Sequence, residues 1–198
     1  METISKSDIT ALILAGGQAR RMNGKDKGLV LYKDQPLIAY VATAIRANVG
    51  SIWVSANKNI DLYQAFGEVV SDDLSDFQGP LAGISAALSR IKTKYLLVLP
   101  CDGPYVEPIL IKRLVDAMAN NKVSLCVASE HQHLHPTFSL LNVSIKPVLD
   151  QYLANGERRL GQFFRDNQAL EVDFSDHERM FVNFNTPEDL LEGASKNP

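Results

Sequence analysis

Residues 9–17 read Ile9-Thr10-Ala11-Leu12-Ile13-Leu14-Ala15-Gly16-Gly17, an apolar run that stops at two adjacent glycines. A short apolar run that ends at a turn is typical of a strand buried inside a sheet. Residues 95–100 form a second run of this kind, and Cys101 and Asp102 follow it directly. The two runs predict buried strands, each followed at once by residues that are suited to binding a ligand.

Segments with apolar residues at the helical spacing alternate with short apolar runs along the chain. Strands are predicted at 9–14, 52–55, 95–100, 124–129, 137–141 and 181–184, and helices at 36–47, 81–91, 108–120 and 145–155. This alternation predicts an α/β fold in which a mostly parallel central sheet carries helices on both faces. A last helix is predicted with Thr186 as its N-cap. Because ligands of such folds bind beyond the carboxyl ends of the strands, the residues to examine follow Leu14, Ser55, Pro100 and Phe184.

The composition is that of an ordinary globular chain. Hydrophobic residues make up 45% of the 198 residues and charged residues 22%, which provides enough apolar surface for a packed core. The formal net charge of -3 argues against a general polyanion binder, and no apolar run is long enough to span a bilayer. With a polar N-terminus and only two cysteines, we expect one domain over residues 1–198, located in the cytoplasm, without a nucleic-acid or membrane partner.

The loop after the first predicted strand is rich in glycine and in positive charge. Residues 14–28 include four glycines and four basic residues. Glycines let backbone N–H groups approach an anion, and Arg and Lys donate charge-assisted hydrogen bonds to phosphate oxygens. The loop is not a P-loop, because Asp26 follows Gly24-Lys25, and the adjacent Gly16 and Gly17 do not fit the dinucleotide fingerprint. It is interpreted as a triphosphate cradle; the alternative is an exposed turn with solvated charges.

Asp102 places a single carboxylate directly after the second buried run. Mg²⁺ prefers oxygen ligands and takes one or two protein carboxylates, with phosphate and water completing its shell. The Asp102 carboxylate is thus a candidate ligand for Mg²⁺ beside a bound phosphate. The alternative is a turn-forming aspartate before Gly103-Pro104.

One motif extends through the glycine-rich loop: Leu14-Ala15-Gly16-Gly17-x-x-x-Arg21-Met22-x-Gly24-x-Asp26-Lys27. It resembles the motif of the nucleotidyltransferases of the molybdenum cofactor, and most closely that of their guanylyltransferases. Later segments agree with this resemblance in order along nearly the whole chain, at 79–83, 100–104, 135–137, 156–159 and 181–188. The resemblance implies a single domain with the three-layer, Rossmann-like nucleotidyltransferase fold. It also implies transfer of GMP from GTP to the terminal phosphate of molybdopterin or molybdenum-molybdopterin, which forms the guanine dinucleotide cofactor and pyrophosphate.

The resemblance further implies the residues of the GTP site. These are Leu14, Ala15, Gly16, Gly17, Lys27, Ser55, Asp72, Gly79, Pro80 and Asp102. Arg21, Lys27 and Asp102 are expected to be catalytic, with Mg²⁺ on Asp102. Asp72 is expected near the guanine base, although the adjacent Asp73 is an alternative, and Ser55 stands where the family commonly has Asn.

The second substrate is expected to contact two other segments. Arg158 and Arg159 would hold the molybdopterin phosphate, and Asn183 and Asn185 would hydrogen-bond the pterin or its phosphate. The alternatives are a surface ion pair for the arginines and a helix cap for Asn185. Cofactor-insertion proteins and molybdoenzyme maturation proteins are the further partners that the resemblance implies.

Other interpretations of the same residues remain open at this stage. Cytidylyl transfer to molybdopterin and nucleotidyl transfer to a sugar phosphate would use the same fold with other ligands. A nucleotide-binding regulatory module would need neither Asp102 nor the asparagine pair. The alternating His131, His133 and His135 suit partly exposed strand positions better than a metal site, since no further ligand completes the set.

Overall fold

The structure, a computed structural model, describes residues 3–16, 26–71, 79–186 and 188–191. The predicted site residues Gly17, Arg21 and Asp72 lie outside these ranges, as does Asp73, the alternative to Asp72. The other predicted site residues all lie within them. None of the helices in the described parts of the chain combines the length and apolar character that a membrane crossing requires.

A seven-stranded sheet forms the centre of the molecule. The strands of the described residues, in this sheet and in a separate pair, are β1 (Ile9–Leu14), β2 (Leu31–Tyr32), β3 (Gln35–Pro36), β4 (Ser51–Ser55), β5 (Glu68–Val70), β6 (Tyr95–Pro100), β7 (Leu125–Glu130), β8 (His133–Asn142) and β9 (Leu170–Asp173). The order in the large sheet is β5-β4-β1-β6-β8-β7-β9, and β2 and β3 form a separate antiparallel pair. All pairings in the large sheet are parallel except the two that β8 makes, with β6 and with β7. The prediction of a mostly parallel sheet is confirmed.

Helices cover both faces of this sheet. They are α1 (Leu37–Ile45), α2 (Ile60–Tyr63), α3 (Pro80–Leu88), α4 (Pro108–Asn121), α5 (Lys146–Ala154) and α6 (Leu160–Asp166). Leu97 and Leu99 of β6 pack into one apolar cluster with α1 and α4, whereas Leu96 and Val98 pack with α3, α5 and α6. Because successive side chains of a strand point to opposite faces, β6 contributes to the core on both sides. The three-layer α/β architecture predicted from the sequence is confirmed.

The predicted strand at 181–184 is wrong. Residues Glu178–Phe181 form a short 3₁₀ helix, and the chain then runs on without joining the sheet. Phe184 donates its backbone N–H to the carbonyl of Asp102 at 2.9 Å. Phe181 and Phe184 are both buried, but they belong to separate apolar clusters. The apolar residues that predicted a strand are therefore two separate anchoring rings and not part of a ladder of hydrogen bonds.

Candidate active site

Three of the four predicted strand ends, those at Leu14, Ser55 and Pro100, meet at one edge of the sheet. Leu14 at the end of β1 lies opposite Ser55 of β4 and opposite Pro100 of β6. Ala15 donates its N–H to the Ser55 carbonyl at 2.9 Å, and Cys101 donates to the Leu14 carbonyl at 3.2 Å. The backbone beyond each strand is thus held by its neighbours, so that the residues after β1, β4 and β6 share one edge. This is where a parallel α/β sheet places its ligands.

Lys27, Asp102 and Asn185 form a contact cluster at this edge. The Lys27 Nζ lies 3.3 Å from Asp102 Oδ2 and 2.5 Å from Asn185 Oδ1. The Lys27 side chain is 27% exposed, and that of Asp102 is 12% exposed. The fold brings together three polar groups that come from the glycine-rich loop, the end of β6 and the C-terminal segment. One ammonium group bridges a carboxylate and an amide that the sequence assigns to different substrates.

Burial makes the charge of Asp102 costly. Loss of water raises the pKa of the Asp102 carboxyl above its ordinary value, and the nearby Lys27 ammonium lowers it only in part. A carboxylate in this position is stabilised by a further positive charge, and its oxygens are the ligands that Mg²⁺ prefers. The Asp102 site therefore fits a divalent cation.

The pairing with Lys27 predicts a measurable shift at Asp102. We expect the pKa of the Asp102 carboxyl to lie above the ordinary aspartate pKa in the nucleotide-free protein. The pKa should be higher again in Lys27→Met, because the Lys27 ammonium favours the charged form of the carboxyl. The pKa can be measured by carbon NMR of labelled aspartate carboxyls. Asp176 serves as the internal reference, since the Arg113 guanidinium holds its pKa at about 2. An unchanged or lower pKa of Asp102 in Lys27→Met would contradict the pairing.

The side chain of Ser55 lies against helix α3. A Cβ at Gly83 would come within 2.2 Å of Ser55 Oγ, so the helix approaches the end of β4 closely only because residue 83 is glycine. The Ser55 carbonyl accepts from Ala15, as described above. Ser55 thus joins the turn after β1 to α3, and its side chain is directed at the helix. Pro80, one of the predicted GTP residues, is the first residue of that helix.

The N-terminus of α3 adjoins the segment predicted to hold the second substrate. Gly79 precedes the helix with a φ of +74°, a conformation that favours glycine, and Pro80 occupies the first helical position. A Cβ on Gly79 would lie 3.9 Å from the carbonyl oxygen of Arg158. The two segments that the sequence assigns to GTP and to molybdopterin are therefore close neighbours.

The two adjacent arginines have different surroundings. Arg158 Nη1 donates to the carbonyls of Leu153 and Glu157 at 2.8 and 2.7 Å, which ties its guanidinium to the C-terminal end of α5. Arg159 is exposed and stands at the N-terminus of α6. The sequence predicts that both arginines bind one phosphate, but in the structure the Arg158 guanidinium already donates to two backbone carbonyls. Arg159 is the more accessible of the two.

Asn185 does not use its side chain to cap the last helix. Its backbone N–H and that of Thr186 donate to Asp189 Oδ2 at 2.7 and 2.8 Å, and Asp189 N–H donates to Thr186 Oγ1 at 3.2 Å. This reciprocal arrangement confirms Thr186 as the N-cap and leaves the Asn185 amide oxygen directed at Lys27. Asn183 Oδ1 is buried and has no hydrogen-bond partner within the described ranges.

Asp26 is held by two residues that the sequence analysis does not single out. Tyr63 Oη donates a short hydrogen bond to Asp26 Oδ1, and Asn59 Nδ2 donates to Asp26 Oδ2 at 3.0 Å. Asp26 itself is part of the motif quoted above, but its partners come from the loop before α2 and from α2. An isolated Asn or Tyr in a polar segment carries no signal of such a contact. Only the fold reveals it.

Only two of the three alternating histidines share a strand face: the rings of His133 and His135 in β8 lie 5.1 Å apart between centroids. His131 lies in the turn before β8, with a φ of +45°, and its Nε2 lies 2.6 Å from Glu178 Oε1. His135 is stacked on Phe181 with a centroid distance of 4.0 Å, and it is hydrogen-bonded to Glu130. Burial raises the pKa of the Cys101 thiol well above its ordinary value, which favours the protonated form.

Comparison with known proteins identifies the family. A family model described as the MobA-like NTP transferase domain matches residues 11–172. The chain is 45% identical over 183 residues to the molybdenum cofactor guanylyltransferase of Histophilus somni (strain 2336), covering 92% of this chain and 94% of the relative. The chain belongs to the molybdenum cofactor guanylyltransferase family. The family member of Haemophilus influenzae strain Rd is 43% identical, with 92% of this chain and 95% of the relative covered.

Solved structures share the fold of this guanylyltransferase family member. The molybdopterin-guanine dinucleotide biosynthesis protein A of Archaeoglobus fulgidus superposes with a TM-score of 0.77 at 20% identity, covering 95% of this chain and 100% of the other. A CMP-2-keto-3-deoxy-manno-octonic acid synthetase complexed with CTP gives a TM-score of 0.69 at 14% identity, covering 96% and 98%. Because this fold also occurs in a protein that binds CTP, the fold alone does not choose the nucleotide.

Proposed function

We propose that this family member transfers GMP from GTP to the terminal phosphate of molybdopterin or its molybdenum complex, forming the guanine dinucleotide cofactor and pyrophosphate. The observation that carries the proposal is the Lys27 ammonium held between the buried Asp102 carboxylate and the Asn185 amide. Family membership supplies the substrates, and this cluster supplies groups suited to a reaction between two phosphates.

Asp102 would hold the Mg²⁺ ion. When bound, the ion supplies positive charge to the phosphate oxygens of GTP, on which negative charge develops during transfer. Burial suits the Asp102 carboxylate to this role, since a carboxylate removed from water interacts more strongly with a cation than an exposed one. The dependence of activity on Mg²⁺ is part of the proposal.

The remaining chemistry consists of positioning and charge stabilisation. Backbone N–H groups at Gly16 and Gly17 are proposed to bind the phosphates of GTP. The acceptor phosphate attacks the α-phosphorus, a new P–O bond forms, and the bond to the bridging oxygen of the leaving pyrophosphate breaks. Lys27 and Arg21 are proposed to stabilise the charge on that leaving group.

The acceptor is proposed to lie against Asn183, Asn185 and Arg159. Asn183 Oδ1 is buried without a hydrogen-bond partner among the described residues, and a donor from the pterin would remove this cost. The Asn185 amide lies beside the Lys27 ammonium. An acceptor phosphate bound at Asn185 would therefore lie close to this positive charge. Such an arrangement would bring the attacking oxygen to the triphosphate side of the pocket.

Guanine selection is proposed to come from Asp72, or from its neighbour Asp73, together with the backbone at Gly79 and Pro80. The N1–H and amino group of guanine are donors, and a carboxylate accepts from both. We also propose that the protein acts in the cytoplasm, since Cys101 and Cys126 are free thiols, and that its product passes to cofactor-insertion and maturation proteins.

The deciding experiment incubates the purified protein with Mg²⁺, molybdopterin and each of the four nucleoside triphosphates in turn. Pyrophosphate release and the mass of the pterin are measured. Of the four nucleotides, only GTP is expected to give product, a pterin heavier by one guanylyl group. No product is expected when EDTA removes the metal. Product with CTP instead would establish the cytidylyl alternative. Product only when a sugar 1-phosphate replaces molybdopterin would establish the sugar-phosphate alternative, and no product with any combination would overturn the proposal.

The two arginines should separate in their effects. Arg159→Gln is expected to raise the KM for molybdopterin about tenfold, the loss of roughly one charge-assisted hydrogen bond, with little change in thermal stability. Arg158→Gln is expected to lower the melting temperature, because it releases the carbonyls at the end of α5. Steady-state kinetics and thermal unfolding of both variants test this. A larger rise in KM for Arg158→Gln than for Arg159→Gln would contradict it.

A further inference from the structure

Tyr63 lies directly beneath the peptide that follows Lys27. Tyr63 is fully buried, and a Cβ built on Gly28 would come within 2.7 Å of its phenolic oxygen. The same Cβ would lie 3.3 Å from the Cβ of Cys101, the residue before Asp102. Only glycine permits this approach at position 28. The backbone that carries Lys27 therefore rests on Tyr63 and on the chain segment that carries Asp102.

Asp26, the residue before Lys27, is also held in place by Tyr63. One of its carboxylate oxygens accepts from Tyr63 Oη and the other from Asn59 Nδ2, so both oxygens already have a donor. Burial and the hydrogen bond to Asp26 keep the pKa of the Tyr63 phenol far above its usual range, so that it remains a neutral donor. Asn59 has a φ of 51°, a left-handed conformation that Asn tolerates better than most residues.

Asp26 also begins the 3₁₀ turn that carries Lys27. The turn spans Lys27–Leu29, and Leu29 donates its N–H to the Asp26 carbonyl at 3.1 Å. A carboxylate clamped at the start of this turn fixes the direction in which the next side chain leaves the backbone. Lys27 has a long, flexible side chain, and fixing its base reduces the number of positions its ammonium samples.

We propose that Tyr63 and Asn59 are positioning residues, which through Asp26 hold the Lys27 ammonium where the leaving pyrophosphate develops its charge. In this proposal Asp26 is an anchor and not a second ligand of Mg²⁺. The inference rests on the proposed function, because it assigns Lys27 to the leaving group. It predicts a loss in the rate of the chemical step with little loss in GTP binding.

The test uses Tyr63→Phe, which keeps the ring under Gly28 and removes the hydroxyl, and Asn59→Gly, which keeps the left-handed backbone and removes the amide. For Tyr63→Phe we expect kcat to fall about tenfold and the KM for GTP to change less than twofold. Asn59→Gly is expected to give a smaller loss of the same kind. In a Lys27→Met background neither substitution should lower kcat further, because its effect passes through the missing ammonium.

Two controls separate positioning from general damage and from metal binding. Tyr40→Phe loses a phenolic hydrogen bond that ends on the Tyr32 carbonyl, and it should keep wild-type kcat. The Mg²⁺ concentration for half-maximal rate should be the same in the wild type, Tyr63→Phe and Asn59→Gly. Thermal unfolding shows that each variant is folded at the assay temperature, and Asn59→Gly carries the test if Tyr63→Phe is not.

Several results would overturn this inference. One is a double variant in which the loss of kcat from Tyr63→Phe adds fully to the loss from Lys27→Met. Another is a several-fold shift, in either positioning variant, of the Mg²⁺ concentration for half-maximal rate. Wild-type kcat in both variants would refute the positioning role while leaving the proposed function intact. Absence of GMP transfer by the wild type would overturn the proposed function and this inference with it.

Discussion

Asp102→Asn is expected to lower GMP transfer by about 10²-fold or more, the scale seen when a charge-stabilising group is removed, and to leave the fold at least as stable. The amide has the shape of the carboxylate but lacks the charge that would hold Mg²⁺. Burial raises the pKa of Asp102, so the charged carboxylate costs more free energy in the folded protein than in the unfolded chain. A neutral group of the same size removes that cost.

Asp176→Asn is the matched control, and we expect the opposite result for both catalytic activity and thermal stability. Arg113 holds Asp176 by two hydrogen bonds of 2.7 and 2.5 Å, and the pKa of Asp176 is lowered to about 2. Because this pKa is lowered, the charged carboxylate stabilises the fold at pH values above the ordinary aspartate pKa. The stabilisation is lost as the pH falls through the lowered pKa. Asp176→Asn should therefore lower the melting temperature at pH 7 and keep full activity.

Thermal unfolding and steady-state rates of the two variants at saturating Mg²⁺ provide the comparison. Turnover of Asp102→Asn close to that of the wild type would remove Asp102 from the proposed metal site. A large loss of stability in Asp102→Asn would show instead that its partnership with Lys27 is mainly structural. The Asp176→Asn control excludes a general effect of neutralising an aspartate.

The sequence predicts the centre of this fold well for a physical reason. Strands β1 and β6 are buried on both faces, so they read as continuous apolar runs that no exposed segment would show. Two edge strands, β5 and β9, were not predicted. β9 is a four-residue strand in which Leu170 and Val172 alternate with exposed acids, and so short a pattern is common in loops.

The site was predicted in part by a rule and in part by resemblance. The rule that ligands bind beyond strand ends placed Leu14, Ser55 and Asp102 at one edge, and the register confirms that these strands end together. The contact between Lys27 and Asn185 joins residues far apart in the chain, and no periodicity in one sequence reveals such a pair. The strand predicted at 181–184 failed because Phe181 and Phe184 are buried in two separate apolar clusters, and such burial does not require hydrogen-bonded neighbours.

Lys27→Met is expected to lower GMP transfer by about 10²-fold or more, mainly through kcat, because the ammonium is proposed to stabilise charge that develops only as pyrophosphate leaves. Methionine keeps most of the length of the side chain and removes its charge. Little stability should be lost, since the Lys27 side chain is partly exposed and its ion pair with Asp102 is screened by water. Steady-state rates at varied GTP concentration separate the effect on kcat from that on KM.

Lys112→Met is the matched control for loss of a lysine ion pair. Lys112 pairs with Asp116 at 2.8 Å on the exposed surface of α4, and its replacement should leave both kcat and KM unchanged. Lys27→Arg should recover part of the rate, because a guanidinium carries the charge with a different shape. Near-normal turnover in Lys27→Met would mean that Lys27 serves only as the counter-ion of Asp102 in the nucleotide-free protein. The charge of the leaving pyrophosphate would then have to be balanced by other groups.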